Sequence, residues 1–455
     1  MNKYLLIITT LLFTVAFSQE DTTFVQAHDY VDMDAHGNFD AWAVFPDENN
    51  SYRKILMHYD LKCASPQADW PGCSGWDYTT KVSLLKPTLD SDGNISFIHD
   101  QTLANVVTPY GTYMMGNGSN GFSPNWVHRY TYDVTDFAPL LRDSVLIRAF
   151  YGGWPQPNSA NAPNAAGAFN ITLNFEMIEG TPPRNVTDIT NLWSGSQSYS
   201  ALQNISDSNV YISPESNNAM LRVTVSGHGV NGEFSDGVNY YIDINAENQY
   251  IQEIWRDDCG ENPLYPQGGT WIYDRANWCP SDKATTREHE LTDFLISGQD
   301  NLISFDIYKP NNVSWYDSSS GESSASYIYD AQLFTFTEPN FNLDVAIEEI
   351  LSPSIKKEHF RYNPTCSNPI VKIKNQGSNN LTSVSIVYGF DGEEASNFVW
   401  EGDLAFSETE IVELPPIDWP SWDENIPFYA RVEMPNFLTD EYNVNDVLYS
   451  EYEFV

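Results

Sequence analysis

The segment Gly75-Trp76-Asp77-Tyr78 places one carboxylate between aromatic rings, shortly after Cys73. A carboxyl group partly stripped of water holds its proton more tightly, which suits general acid or base work. A turn aspartate beside packed rings has the same local sequence, so the tetrapeptide alone leaves both readings open. A second candidate runs from Trp255 to Pro280. Between Cys259 and Cys279 it gathers Trp271, Tyr273, Arg275 and Trp278 with several Gly and Asp residues. Flat rings stack on a sugar or a base, and Arg275 offers a planar fork of donors.

Positioning such residues requires closed loops on a rigid scaffold. Of the five cysteines, Cys63 with Cys73 and Cys259 with Cys279 form two local pairs, and Cys366 is left over. Neither pair has the close double spacing of a zinc site, so structural bridges are the better reading. The scaffold is legible as strands. Phe169, Ile171, Leu173, Phe175 and Met177 alternate with Asn170, Thr172, Asn174 and Glu176, as in a strand with one wet face. Similar alternation recurs at Leu221 to Val225, Val238 to Ile244 and Val384 to Phe390. Gly, Pro, Asn and Asp clusters separate these runs, which predicts an all-β antiparallel sandwich or jelly roll. Asp90-Ser91-Asp92-Gly93-Asn94 reads as a hairpin turn rather than a calcium loop.

An internal echo points to two domains of similar build. Thr135-Asp136-Phe137 with Leu140-Leu141 precedes the strand at Val145, and Thr292-Asp293-Phe294 with Leu295-Ile296 precedes the strand at Leu302. In each, Thr or Asp is expected to cap a single helical turn. Breaks at Gly180 to Pro183 and at Glu338 to Asn340 divide the chain into residues 19–180, 181–338 and 339–455. The last segment reads as a small immunoglobulin-like β-sandwich acting as a spacer or attachment domain.

Residues 1–18 read as a secretion signal, with Lys3 ahead of an apolar run and Ala16-Phe17-Ser18 at the cleavage position. No later stretch is apolar for long enough to span a membrane. Lys and Arg number 22 against 62 Asp and Glu, for a net charge of −40, which disfavours nucleic acid and anionic membranes as partners. The 41% hydrophobic content nonetheless describes a folded chain. The histidines are scattered, so a copper site is not expected, and no metal or cofactor is called for.

The second loop and several shorter motifs carry a resemblance. Cys63, Cys73-x-x-Trp76-Asp77, Thr108-Pro109-Tyr110 and Asp133-Val134-Thr135-Asp136-Phe137 form its first half. Ser226-Gly227, Glu233, Cys259 and Asp274-Arg275-Ala276-x-Trp278-Cys279-Pro280 form its second. Over residues 24–336 the chain resembles the peptide-N-glycosidase F family, bacterial amidases that release N-linked glycans. The resemblance implies two adjacent eight-stranded jelly rolls with a glycan-binding cleft between them. It implies Asp77 as the principal catalytic carboxylate, Glu233 as its assistant, and Arg275 as an orienting or oxyanion-binding group. Trp76, Tyr78, Trp154, His228 and Trp271 are the expected substrate contacts.

Three positions depart from the family pattern. A Glu expected two residues before Trp154 is Gly152, an Arg after the catalytic Asp is Tyr78, and a Trp after Ser226-Gly227 is His228. The cysteines that flank the family's second-domain Glu are both missing around Glu233. The expected product is a secreted, monomeric amidase acting on N-linked glycoproteins. The rival expectation is a glycan-binding or cell-surface protein that kept the fold and lost part of the site.

Overall fold

The structure is a computed structural model that describes residues 22–110, 126–154, 167–198, 205–228, 239–264, 267–268, 270–308, 326–363, 368–420 and 426–452. Glu233 and Cys366 lie outside the described residues, as does the signal-like segment. Almost everything described is strand or connection, with a few single turns of 3-10 helix.

The first jelly roll is built from β1 (Thr22–Met33), β2 (Gly37–Val44), β3 (Tyr52–Cys63), β4 (Thr79–Leu89), β5 (Ile95–Val107), β6 (Val127–Asp133), β7 (Ser144–Tyr151) and β8 (Phe169–Glu179). One sheet has the order β1-β8-β3-β6, and the facing sheet carries β5-β4-β7-β2. Their shared core explains the alternation. Phe169, Ile171, Leu173, Phe175 and Met177 of β8 are fully buried beside Ile55, Met57, Tyr59 and Leu61 of β3. Burying each such side chain contributes roughly 1.5–3 kcal/mol.

The polar face of β8 is less wet than its sequence predicts. Asn170 and Thr172 are buried as well: Asn170 Nδ2 donates to Asp32 Oδ1 at 2.8 Å and Thr172 Oγ1 accepts Tyr30 N–H at 3.1 Å. Strand β1 shifts register at His28 and again before Val31, and Thr172 takes up the Tyr30 N–H inside the second irregularity.

The second jelly roll uses β9 (Arg184–Ser198), β10 (Ser208–Tyr211), β11 (Asn218–His228), β12 (Asn239–Ile244), β13 (Glu247–Glu253), β15 (Thr286–Glu290), β16 (Asp300–Tyr308) and β17 (Ser326–Pro339). Its sheets run β15-β11-β17-β9 and β10-β16-β12-β13. The two-residue strand β14 (Asp282–Lys283) leaves this domain to pair with Val106 and Val107 of β5, as the edge of the first domain's sheet.

The internal echo is visible atom by atom. Thr135 N–H donates to Asp133 Oδ1 at 2.9 Å, and Thr292 N–H donates to Glu290 Oε1 at 3.0 Å. The Thr hydroxyls do not cap the turns that follow them. Each accepts a main-chain N–H from a neighbouring strand, Ile55 N–H or Ala219 N–H, both at 2.9 Å. The tertiary partner takes the lone pair that a helical cap would have used.

Polar contacts join the two domains. Asp330 of β17 receives Lys81 Nζ and Thr102 Oγ1 of the first domain, both at 2.8 Å, and Gln332 Nε2 donates to Gln101 Oε1 at 2.9 Å. Arg222 bridges Asp136 of the first domain and Glu288 of the second, each at 2.7 Å.

Residues from Val345 onward form a third sandwich. It uses β18 (Val345–Ser352), β19 (Ile370–Asn375), β20 (Leu381–Phe390), β21 (Ser396–Leu404), β22 (Thr409–Glu413), β23 (Phe428–Glu433) and β24 (Val447–Ser450), in sheets β18-β19-β22 and β21-β20-β23-β24. It makes polar contacts with both jelly rolls. Lys54 pairs with Glu348 at 2.8 Å, Thr181 N–H donates to Tyr442 Oη at 2.9 Å, and Arg361 donates to the carbonyls of Glu261 and Gly260 at 2.6 and 3.0 Å. The last contact touches the loop closed by Cys259 and Cys279.

Candidate functional site

The Asp77 segment is held by its neighbours before it meets anything else. Cys63 at the end of β3 bridges to Cys73, with Cα atoms 4.3 Å apart. Trp76 N–H then donates to Ser74 Oγ at 3.2 Å. Thr108, just past β5, accepts Tyr78 N–H on its hydroxyl at 2.8 Å and sends its own N–H to Tyr78 O at 2.7 Å. The Thr108-Pro109-Tyr110 motif therefore clamps the residue that follows Asp77, and Tyr110 N–H continues to Gln267 Oε1 at 3.2 Å, tying both loops together.

Asp77 itself is only 8% exposed. The indole Nε1 of Trp278, from the second candidate loop, donates to its Oδ2 at 2.8 Å. Hydrogen bonds to a carboxylate are stronger than those between neutral groups, and this one ties Asp77 to the second candidate loop. Trp278 is in turn covered by His228, with ring centroids 4.2 Å apart.

The carboxylate borders a hollow of ≈ 350 Å³ lined by Trp76, Asp77, Tyr78 and His228. Three of these residues belong to the first domain and His228 ends β11 of the second. The hollow shares Tyr78 and His228 with a larger interdomain cleft of ≈ 520 Å³, whose walls include His36, Lys81, Gly152, Ser194 and Trp278. Trp76, which lines the hollow, and Trp154, which lines neither the hollow nor the cleft, are 44% and 59% exposed. Trp154 stacks on His36 at 4.2 Å, nearly parallel, and its carbonyl accepts the Tyr78 hydroxyl at 3.3 Å.

The His228 ring meets Trp278, and its main chain pairs with Ser326 of β17. Burial pushes its pKa down from the usual histidine value, so the imidazole is neutral at pH 7. The neutral ring keeps a lone pair on one nitrogen, and burial disfavours its charged form. Burial also raises the Tyr78 phenol, which stays protonated and serves as a donor.

Three predicted site residues, Arg275, Trp271 and Trp154, line neither the hollow nor the cleft. Arg275 is fully buried, and its guanidinium donates to Tyr273 O at 3.2 Å, Thr270 Oγ1 at 2.9 Å and Thr270 O. It organises the interior of its own loop and lines neither the hollow nor the cleft. Trp271 is likewise buried and lines neither. The reason is physical: a loop of this length needs its own small core, and the most donor-rich side chain satisfies carbonyls that have no ladder. Cys259 bridges to Cys279, with Cα atoms 5.0 Å apart, and so closes that loop.

Trp278 is the residue that composition alone undervalues. It lies in the same Asp-Arg-Ala-x-Trp-Cys motif as Arg275, and its place beside Cys279 is the signal that marks it as rigidly held.

Gly152 lines the cleft, and a Cβ there would lie 3.0 Å from Thr79 Cγ2 and 3.1 Å from Thr79 O. The absence of a side chain at this position lets Thr79 pack tightly. At Gly153 a Cβ would fall 2.1 Å from the Tyr151 ring, so a side chain there requires that ring to move.

No group of three metal-ligating side chains borders the hollow among the described residues. The groups that exist are Asp258 with the bridged Cys259 and Cys279, and Glu349, Glu358 and His359 in the third sandwich. Nor is any described helix long and apolar enough to cross a membrane.

Residues 198–320 match the family described as peptide-N-glycosidase F, C-terminal. Among solved structures, the chain resembles a glycosylasparaginase, PNGase F from Flavobacterium meningosepticum, at 20% identity, covering 70% of this chain and 96% of that one with a TM-score of 0.52. It also resembles PNGF-II at 15% identity, covering 69% of this chain and 65% of that one with a TM-score of 0.53. No curated protein sequence matches. At these identities the structural likeness establishes the shared jelly-roll fold.

Proposed function

We propose that this chain, which carries a peptide-N-glycosidase F-like pair of jelly rolls, hydrolyses the side-chain amide of glycosylated asparagine. The observation that carries the reading is Asp77, a nearly buried carboxylate held by Trp278 from the other half of the chain and open to an interdomain hollow. An amide carbonyl resists neutral water, so a fixed carboxylate must take the water's proton as the C–O bond forms. The C–N bond then breaks, the nitrogen leaves protonated as a glycosylamine, and Asp remains on the peptide.

Neutral His228 supplies the second proton-handling group, in a site where the resemblance would place a carboxylate at Gly152. Glu233 keeps its proposed role as an assistant. The Tyr78 hydroxyl, whose proton goes to Trp154 O, accepts from a substrate hydroxyl, and the exposed rings of Trp76 and Trp154 stack on the core sugars. Arg275 supports the loop that delivers Trp278.

The test is incubation with a denatured N-glycoprotein, followed by mass measurement of the sequon peptide. Asn should convert to Asp, Asp77→Asn should lower the rate by about 10²–10⁴-fold, and His228→Gln by about 10–100-fold with a flattened acid limb of the pH profile. A glycan-binding protein without turnover is the second reading, favoured by the missing side chain at Gly152. Glycan retention on a column with no Asn conversion by the unmodified chain would select it.

A further inference from the structure

Glycosylasparagine hydrolysis makes no use of a second cavity, of ≈ 450 Å³, where all three domains meet. Among the described residues its walls hold six of the chain's 22 Lys and Arg but only five of its 62 Asp and Glu, so a strongly acidic chain encloses a basic hollow. The five carboxylates are already engaged. Arg222 takes Asp136 and Glu288, Lys54 takes Glu348, and Lys81 takes Asp330. Asp133 accepts Thr135 N–H at 2.9 Å.

The cations are not all matched in return. Arg184, which opens β9, is 7% exposed, and its guanidinium lies over the Phe336 ring at 3.3 Å and beside Phe406 at 5.4 Å. Its Nη2 reaches Met220 Sδ, a weak acceptor, and Asp136 Oδ2, each at 4.0 Å. Arginine stays charged in proteins, so a buried fork of five N–H donors is left without a close counter-ion among the described residues. Lys374 of β19 forms no ion pair among the described residues either. Its charge is felt at Asp136, the same carboxylate that Arg184 approaches. The third sandwich holds the two cations near each other: Ser407 N–H donates to Asn375 O at 2.8 Å, which seats Phe406, the ring beside Arg184, next to the strand that carries Lys374.

We infer that Arg184 and Lys374 bind an oxyanion, a sulfate or phosphate group either free or carried on a sugar, in the cavity at the three-domain junction. A guanidinium fork takes two oxygens of such a group at once, and an ammonium takes another as a point charge. Lys372, which lines the same cavity two residues earlier on β19, adds a third positive charge, and this favours a group with several charged oxygens over a lone carboxylate. Arg184 belongs to the second jelly roll and Lys374 to the third sandwich, so the bound anion bridges them and stabilises their contact by mass action. The inference does not depend on what the Asp77 site does.

The experiment is a calorimetric titration of the full chain at low ionic strength, with sodium sulfate in one arm, N-acetylglucosamine 6-sulfate in the other and sodium chloride as the blank. Saturable heat is expected in both arms, and the tighter arm tells whether the site prefers a free or a sugar-borne group. Arg184→Gln and Lys374→Gln are each expected to weaken binding by about 10-fold or more. Lys374 is only partly buried, so its variant keeps the test open should Arg184→Gln fail to fold, with circular dichroism as the check. Absence of saturable heat from the unmodified chain in both arms overturns the inference and leaves the cavity to water. An unchanged affinity in a folded Lys374→Gln overturns it as well.

Discussion

Trp278 shows how much one donor is asked to do at this site. Its indole N–H meets Asp77 Oδ2 at 2.8 Å in a nearly closed setting, so its removal leaves a buried carboxylate short of a partner. A hydrogen bond to a charged group contributes about 1.5–3 kcal/mol. Trp278→Phe is therefore expected to lower the rate of Asn conversion by about 10–100-fold while leaving the far-ultraviolet spectrum unchanged, as measured by peptide mass and circular dichroism. An unchanged rate would detach Trp278 from Asp77 function. Arg275 teaches the opposite lesson. It is the more conspicuous side chain of the two, and the structure spends it on carbonyls of its own loop.

At the scale of elements, the loop from Cys259 to Cys279 connects the domains. It begins against Arg361 of the third sandwich and, through Trp278, reaches Asp77. It ends in β14 on the edge of the first domain's sheet. Its disulfide closes a separation of 20 residues, a span for which chain-entropy bookkeeping gives about 3 kcal/mol. Replacing both cysteines by alanine is expected to lower stability to chemical denaturant by about that amount and to depress the conversion rate with it, because Trp278 loses its neighbour anchor. Retention of full activity in the reduced-stability variant would show that the loop holds Trp278 without the bridge. The Cys63–Cys73 bridge acts more locally, ahead of the Ser74 and Thr108 contacts that shape the Asp77 turn.

The whole molecule carries a pH dependence written in its histidines. Burial, with Lys357 and Lys283 nearby, pushes His128 down to about 4, and burial with Arg287 does the same for His289. A histidine whose folded pKa lies below its unfolded value of 6.5 binds fewer protons when folded. Its stabilising contribution is whole above pH 6.5 and is lost as pH falls toward about 4. His128 lies at the third sandwich's side of β6, beside Lys357, and its ring packs on Tyr130 at 4.5 Å. His128→Phe keeps a ring and removes the titration, so the loss of thermal stability between pH 7 and pH 5 is expected to shrink. An identical loss in both proteins would place the pH response elsewhere.

Much of this was legible before any coordinates. Alternation at Phe169 to Met177, the paired Thr-Asp-Phe turns and the two local cysteine pairs are short-range patterns, and short-range patterns follow from strand periodicity and loop closure. Asp77 was a candidate on different grounds: its local sequence left a plain turn aspartate equally open, and the family resemblance is what singled it out. What needed the tertiary structure was every relation between residues far apart in the chain. The roughly 200-residue gap between Asp77 and Trp278 leaves no periodic trace, and neither does the meeting of His228 with Tyr78 across two domains. The same holds for Arg275, whose donors suit a ligand as well as they suit a carbonyl. Only packing determines which it meets, because burial and orientation depend on the neighbours that three-dimensional folding brings, and local sequence does not encode them.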